Sequence, residues 1–301
     1  MDESIYAYAR IGMVHHMLYP RCMNDPDDHV ATLEQFIRRD DIETFDYCVP
    51  YGDHRRERLL AQLGNCGKDV VYAMHLFPLR KISLSSPDFQ EQSVTRLILK
   101  DQVAMAAASG ATGFIFVSGI DLPDRREDAR ASFREFCRWF CGELAPHRIT
   151  ALLEPFDRTV AKKFLYGPIE ECVGLVEEIR GEGHDIGLEL DIAHLPLMDE
   201  DLADAIRRCG RHIKRVHLGN CVLRDKTDPL YGDCHPPIGY PGGEIDVPEL
   251  AVVLRELLRT GYLSKRERGA LILEMIPYPG RSVEDTVRYS FEKLAAAWQR
   301  V

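Results

Sequence analysis

The chain has 301 residues, 45% of them apolar and 29% charged, with a formal charge of −10 and a pI near 5.6. This length and composition can bury the core of one large α/β barrel or of two ordinary domains, and it excludes a low-complexity chain. The acidic balance disfavours nucleic acid as a partner, and every apolar run is too short or too interrupted to span a bilayer.

The opening M-D-E-S-I-Y lacks the basic and apolar regions of a signal peptide. Nine cysteines, an odd number with no C-x-x-C, point to reduced thiols and a cytoplasmic protein. Eight short apolar strands are predicted, at 9–14, 42–48, 70–75, 113–117, 149–154, 186–191, 213–218 and 270–276. Helices are predicted at 28–39, 54–64, 90–109, 126–142, 163–180, 199–209, 247–260 and 282–299. Pro87 reads as an N-terminal proline near the third of these. Ile169, Cys172, Val173 and Val176 make one apolar stripe on the fifth. Leu250, Val253, Leu254, Leu257 and Leu258 repeat at helical spacing behind an Asp246/Glu249 capping box, with Gly261 where a C-cap belongs. Ser282 and Asp285 open the last helix with the same signature.

Eight βα units in a chain of 301 residues specify an α/β fold of the (β/α)₈ TIM-barrel type. No strand is followed by G-x-G-x-x-G or a P-loop, which sets a doubly wound sheet second. No linker divides the chain, so residues 1–301 are expected to form a single domain with a long loop, 220–245, after the seventh strand.

In such barrels the chemistry sits at the C-terminal ends of the strands. In order, these ends carry His15 and His16, Asp46, His75, Ser118, Glu154, Asp191 with His194, His217, and Glu274. Strands five to eight therefore end in Glu, Asp, His and Glu. Three converging carboxylates repel and raise one another's pKa unless a cation is present. A divalent ion held by Glu154, Asp191, His217 and Glu274 removes that cost. The donor set suits Mn²⁺ above all, with Mg²⁺, Co²⁺ or Zn²⁺ as alternatives. Parity places Glu189 and Arg215 one layer deeper in the barrel, where they are expected to form an ion pair beneath the metal. The 220–245 loop leaves directly from the His217 strand and carries Arg224, Asp233 and His235, so it is read as a binding loop.

These residues resemble the xylose-isomerase-like barrel superfamily of sugar (phosphate) isomerases and epimerases. The motifs are E-P-F-D-R, D-I-A-H, V-H-L-G-N, G-Y-P-G-G-E-I-D and L-E-M-I-P, which cover the C-terminal half, and the strand order extends the likeness to the whole chain. Similarity to the ketose 3-epimerase branch implies that Glu154 and Glu274 are metal ligands and also the catalytic acid/base pair, and that His194 binds substrate. The remaining candidates for substrate contacts are His15, His75, Arg224, Asp233 and His235. The implied reaction is proton abstraction beside a metal-polarised carbonyl of a small carbohydrate, through an enediolate.

The branch carries a second, sugar-gripping glutamate six residues after the first, and here that position is Val160. The departure keeps a keto-sugar lyase or dehydratase open, since its first step is the same. The chain also resembles the metal-dependent apurinic endonucleases through His75, Glu154, Asp191, His194, His217, Asp233, His235 and Glu274. Their strand-four histidine is replaced by Ser118. A non-catalytic metal-binding barrel acting with a partner subunit is the alternative of a different class, and a homo-oligomer is left open.

Overall fold

Residues 3–49, 52, 54–75 and 84–301 are described by a computed structural model. Strands form where short apolar runs are bounded by turn residues. They are β1 (Ala9–Val14), β2 (Thr44–Tyr47), β3 (Asp69–Ala73), β4 (Gly113–Phe116), β5 (Thr150–Leu153), β6 (Ile186–Asp191), β7 (Ile213–Leu218) and β8 (Gly269–Leu273). Each pairs in parallel with the next, and β8 closes on β1, giving a barrel with no free edge. The helices are α1 (His15–Leu18), α2 (Pro26–Arg38), α3 (His54–Gly64), α4 (Phe89–Ala108) and α5 (Arg126–Leu144), followed by α6 (Ile169–Gly181) and α7 (His194–Leu197). The last three are α8 (Leu202–Cys209), α9 (Val247–Arg259) and α10 (Val283–Trp298). The (β/α)₈ fold expected from the sequence is the fold observed.

Strand parity divides the core. Phe45 and Tyr47 of β2, Tyr72 of β3, and Phe114 and Phe116 of β4 are buried in the large core shared with the helices. There they meet Phe36 of α2 and Phe133, Phe136 and Phe140 of α5, in tilted and edge-to-face contacts. The alternate residues Val71, Ile115 and Leu152 form a separate cluster, as do Val14, Ala270 and Ile272. These two groups fill the barrel interior. A Cβ on Gly12 would lie 2.2 Å from the Thr44 carbonyl oxygen, so only glycine lets β1 approach β2 this closely.

Local signals account for most element ends. The Asp246/Glu249 capping box opens α9, and Ser282 accepts from Asp285 N–H at the start of α10. Gly261 takes a positive φ just past α9. Asp88 caps α4 through the N–H groups of Gln90 and Glu91, and Pro87 stands one residue before the cap.

Two predicted helices differ in extent. The one expected at 163–180 begins only at Ile169. Before it, the Asp157 carboxylate accepts from the N–H groups of Thr159, Val160, Ala161 and Lys162 and coils that segment into a loop. The one expected at 199–209 begins at Leu202, behind its cap Asp201, and α7 stands as a separate turn before it. None of the nine cysteines is in a disulfide. Among the described residues, no helix is long and apolar enough to cross a membrane.

Candidate metal centre at the barrel mouth

Glu154 and Glu274 each lie one residue past a strand, yet their N–H groups still bond to the neighbouring strands, at Phe116 O (2.9 Å) and Leu218 O (3.3 Å). That extension of the ladder holds both side chains to the barrel axis. Asp191 ends β6 in register with His217 of β7. Glu154, Asp191, His217 and Glu274 each offer a ligand atom within 4.8 Å of the others.

His217 is held from both sides. Its Nε2 lies 2.6 Å from Asp46 Oδ2, and its Nδ1 lies 2.5 Å from Glu274 Oε2. With the Nε2 proton given to Asp46, the Nδ1 lone pair faces the other three donors, an arrangement common in metal-binding histidines. Arg215 does lie inside the barrel, but it pairs with Asp46 (2.5 Å) and Asp69 (3.5 Å) instead of Glu189. Glu189 turns upward and accepts from His217 N–H at 3.1 Å. Residues level on neighbouring strands point in parallel, so the long arginine reaches across the barrel to β2 and β3, past the side chain next to it.

A second set of donors adjoins the first and shares Asp191. His194 donates Nδ1–H to the Pro155 carbonyl at 3.0 Å, which leaves Nε2 facing Asp191 Oδ2 and Asp233 Oδ1, both at 3.3 Å. His235 Nδ1 is 3.6 Å from Asp191 Oδ2, and its Nε2 is 2.8 Å from Asp233 Oδ1. Asp191 Oδ2, His194 Nε2 and His235 Nδ1 are buried without a hydrogen-bond partner. Separations of 3.3–3.6 Å are long for hydrogen bonds. They suit atoms sharing a small cation, since bonds of about 2.0–2.1 Å set tetrahedral ligands roughly 3.3–3.4 Å apart. Both donor sets thus fit a divalent metal.

The polypeptide makes room for this convergence at Gly219. A Cβ there would lie 2.8 Å from Asp191 Oδ1 and 2.9 Å from His235 Nδ1. The loop that delivers Asp233 and His235 is braced. Asn220 Oδ1 accepts from Cys221 and Ile245 N–H, its Nδ2 donates to Pro237 O, and Ile276 N–H donates to His235 O.

Burial and crowding set the charges. Burial pushes the Glu154 carboxyl up to about 7, and it raises Asp191 as well. Burial also opposes charge on Glu274, but His235, His217 and His194 outweigh it and hold Glu274 below the usual carboxylate range. For His217 and His194 burial is again the largest influence, yet the facing carboxylates raise both well above an ordinary imidazole. Two glutamates of unequal acidity therefore face one centre.

The mouth opens on a cavity of about 180 Å³ lined by Glu154, His217, Asp233, His235 and Glu274, with Val14, His16, Met74, Phe156 and Lys162. Of the expected substrate contacts, Asp233 and His235 line this cavity, whereas His194, His15, Arg224 and His75 do not. His15 opens α1 and faces away from the barrel, with Nε2 on Thr32 Oγ1 and its ring against Phe36, while Val14 and His16 line the cavity. Arg224 is exposed and pairs with Glu244 at 3.2 Å. His75 has its backbone N–H on Gln102 Oε1 and lies beside the lining residues Ala73 and Met74. Lys162 went unnoticed in the sequence. Its Nζ is 2.7 Å from Asp233 Oδ2, and only its place after the coil around Asp157 could have pointed to it.

A family profile described as xylose isomerase-like TIM barrel matches residues 33–297. No curated protein gives a significant sequence match. Among solved structures, a D-tagatose 3-epimerase-like protein superposes with a TM-score of 0.73 at 14% identity, over 97% of this chain and 99% of that one. An AP endonuclease of family 2 from Brucella melitensis gives a TM-score of 0.67 at 20% identity, covering 94% and 98% of the two chains. An IolI protein with a bound zinc atom gives 0.68 at 12% identity, covering 97% and 99%.

Proposed function

The chain belongs to the xylose isomerase-like TIM-barrel family, and from that premise we propose that it is a divalent-metal-dependent isomerase or epimerase of a small sugar. One observation carries the reading. Glu154 and Glu274, from strands on opposite sides of β6 and β7, face the same four-donor centre at the floor of the cavity. A cavity of about 180 Å³ is smaller than the roughly 300–1,000 Å³ typical of drug-sized ligands, and it suits a small polyol.

Glu154, Asp191, His217 and Glu274 would hold the ion. When bound, a divalent ion supplies Lewis-acid polarisation of a carbonyl oxygen, with Mn²⁺ the favoured metal. One of the two glutamates takes a proton from the carbon beside the carbonyl, and the other returns one to the opposite face or to the adjacent carbon. His217 is kept in the ligating tautomer by Asp46. His235 and Lys162, which line the cavity, would hold substrate oxygens, with His194 buried behind them beside Asp233. Phe156 covers His194 with ring centroids 4.2 Å apart and limits water at that side.

The test is incubation of metal-loaded protein with a panel of ketoses in D₂O. Deuterium at a substrate carbon supports the proposal. An unsaturated product would move it to keto-sugar elimination.

The Asp191–His194–His235 group favours a second reading, a hydrolase holding two metals across the shared Asp191. The net charge of −10 weighs against a DNA substrate. Nicking of abasic DNA without exchange into any ketose would establish this reading in place of the first.

A further inference from the structure

The two donor sets of the mouth differ in more than their ligand atoms, because a lysine stands against the second. Lys162 Nζ lies 2.7 Å from Asp233 Oδ2. The other oxygen of that carboxylate faces His235 Nε2 at 2.8 Å and His194 Nε2 at 3.3 Å. The ammonium is therefore one carboxylate away from both histidines of the Asp191–His194–His235 set. The Asp233 side chain is 1% exposed, so its charge needs a counter-charge inside the protein. A metal ion or a lysine can supply it, and the chain places a lysine there.

The placement is built into the backbone. The buried Asp157 carboxylate accepts from Lys162 N–H at 2.9 Å, the last of the four N–H groups it gathers, and this fixes where the lysine leaves the coil. Its ammonium sits 5.6 Å from the Phe156 ring centroid, a further attraction toward the mouth. The other basic residues of the segment go elsewhere. Arg158 donates to Leu165 O at 3.1 Å and to Glu171 at 3.0 Å, and Lys163 is exposed.

Glu154, Asp191 and Glu274 bring three carboxylates to the four-donor centre, more than one divalent ion needs. A second ion across Asp191 would share that carboxylate and add one more, Asp233, whose charge Lys162 already balances. It would also stand close to the ammonium, and like charges at short range repel strongly in a buried site. We propose that Lys162 takes the place of a second cation and so limits the mouth to one divalent ion, held by Glu154, Asp191, His217 and Glu274. The inference rests on that centre binding a metal and not on the reaction proposed for it.

The test is titration of the metal-free full chain with Mn²⁺, read by electron paramagnetic resonance. Two ions sharing Asp191 would lie about 3.5–4 Å apart and give an exchange-coupled spectrum, which an isolated ion elsewhere on the chain does not produce. The wild type at saturating Mn²⁺ is expected to show the uncoupled signal alone. Lys162→Met keeps the length of the side chain and removes its charge. There the coupled signal should appear, with the second ion bound on the order of 10–100-fold more tightly than in the wild type. Lys163→Met, which removes a charge from the exposed neighbour, should behave as the wild type. A coupled spectrum in the wild type overturns the proposal and needs no variant to fold. A Lys162→Met protein that still takes a single ion overturns it too. Mn²⁺ binding that His217→Ala leaves unchanged would instead strike the four-donor centre itself, and the proposal with it.

Discussion

His15 and His16 are consecutive in sequence and serve two different environments. His16 lines the mouth, among carboxylates and beside a water-accessible cavity. His15 enters a dry layer of aromatic rings and sulfur, where its donor neighbours are Cys22 and His29. The mouth is built on charge, with Asp46, Glu154, Glu189, Asp191, Asp233 and Glu274 set against His194, His217, His235, Lys162 and Arg215. Among the described residues, the cluster of His15, Cys22 and His29 includes no carboxylate. The contrast shows how one barrel wall separates a polar mouth from an apolar, ring-lined layer. His15 and His16 both lie in the short turn α1 that follows β1, one turned toward the helices and the other toward the cavity, and each side sets its own dielectric.

The comparison can be broken most sharply at Glu154. Glu154→Gln should lower solvent exchange into substrate by about 10²–10⁴-fold while weakening metal binding less than His217→Ala does. Wild-type exchange rates in Glu154→Gln would remove it from the proton-transferring pair.

Next in size is Arg215→Met, which removes the guanidinium from the fully buried Asp46 and leaves the half-buried Asp69 with Arg10 alone. A loss of about 3–5 kcal/mol is expected in urea unfolding, since breaking a buried ion pair strands the remaining charge. A loss under about 1 kcal/mol would mean that other groups neutralise the mouth from below.

Gly219→Ala places a methyl between Asp191 and His235. Metal affinity at the mouth should fall on the order of 10–100-fold. Titration of the metal-free protein with Mn²⁺ checks this, and an unchanged affinity would show that the mouth accommodates the added methyl.

The smallest effect belongs to Arg224→Ala. Its guanidinium is exposed on the loop, so stability should stay within about 0.5 kcal/mol and exchange kinetics should not change. A clear rise in KM would bring the loop surface into the binding site.

Much of the fold was readable from local pattern. The strands are short apolar runs, and the capping residues at Asp246 and Ser282 mark helix starts that the structure reproduces. The gathering of Glu154, Asp191, His217 and Glu274 was also legible, because a parallel barrel places the residues at its strand ends side by side. The role of each in catalysis rests on the proposal above. Other features depend on contacts between segments distant in sequence. Arg215 of β7 reaches Asp46 and Asp69 near β2 and β3, and Lys162 reaches Asp233 of the loop after β7.

The sequence by itself determined the barrel, its strand ends and the excess of carboxylates there, because periodicity and residue chemistry are local properties. Tertiary structure alone decided which way His15 and His16 part, and that Arg215 reaches Asp46 instead of Glu189. It likewise turned Lys162 toward Asp233 while leaving Arg224 in solvent. Those outcomes depend on where side chains end after crossing the barrel or a loop, and that is fixed by packing between strands, which no single stretch of the chain encodes.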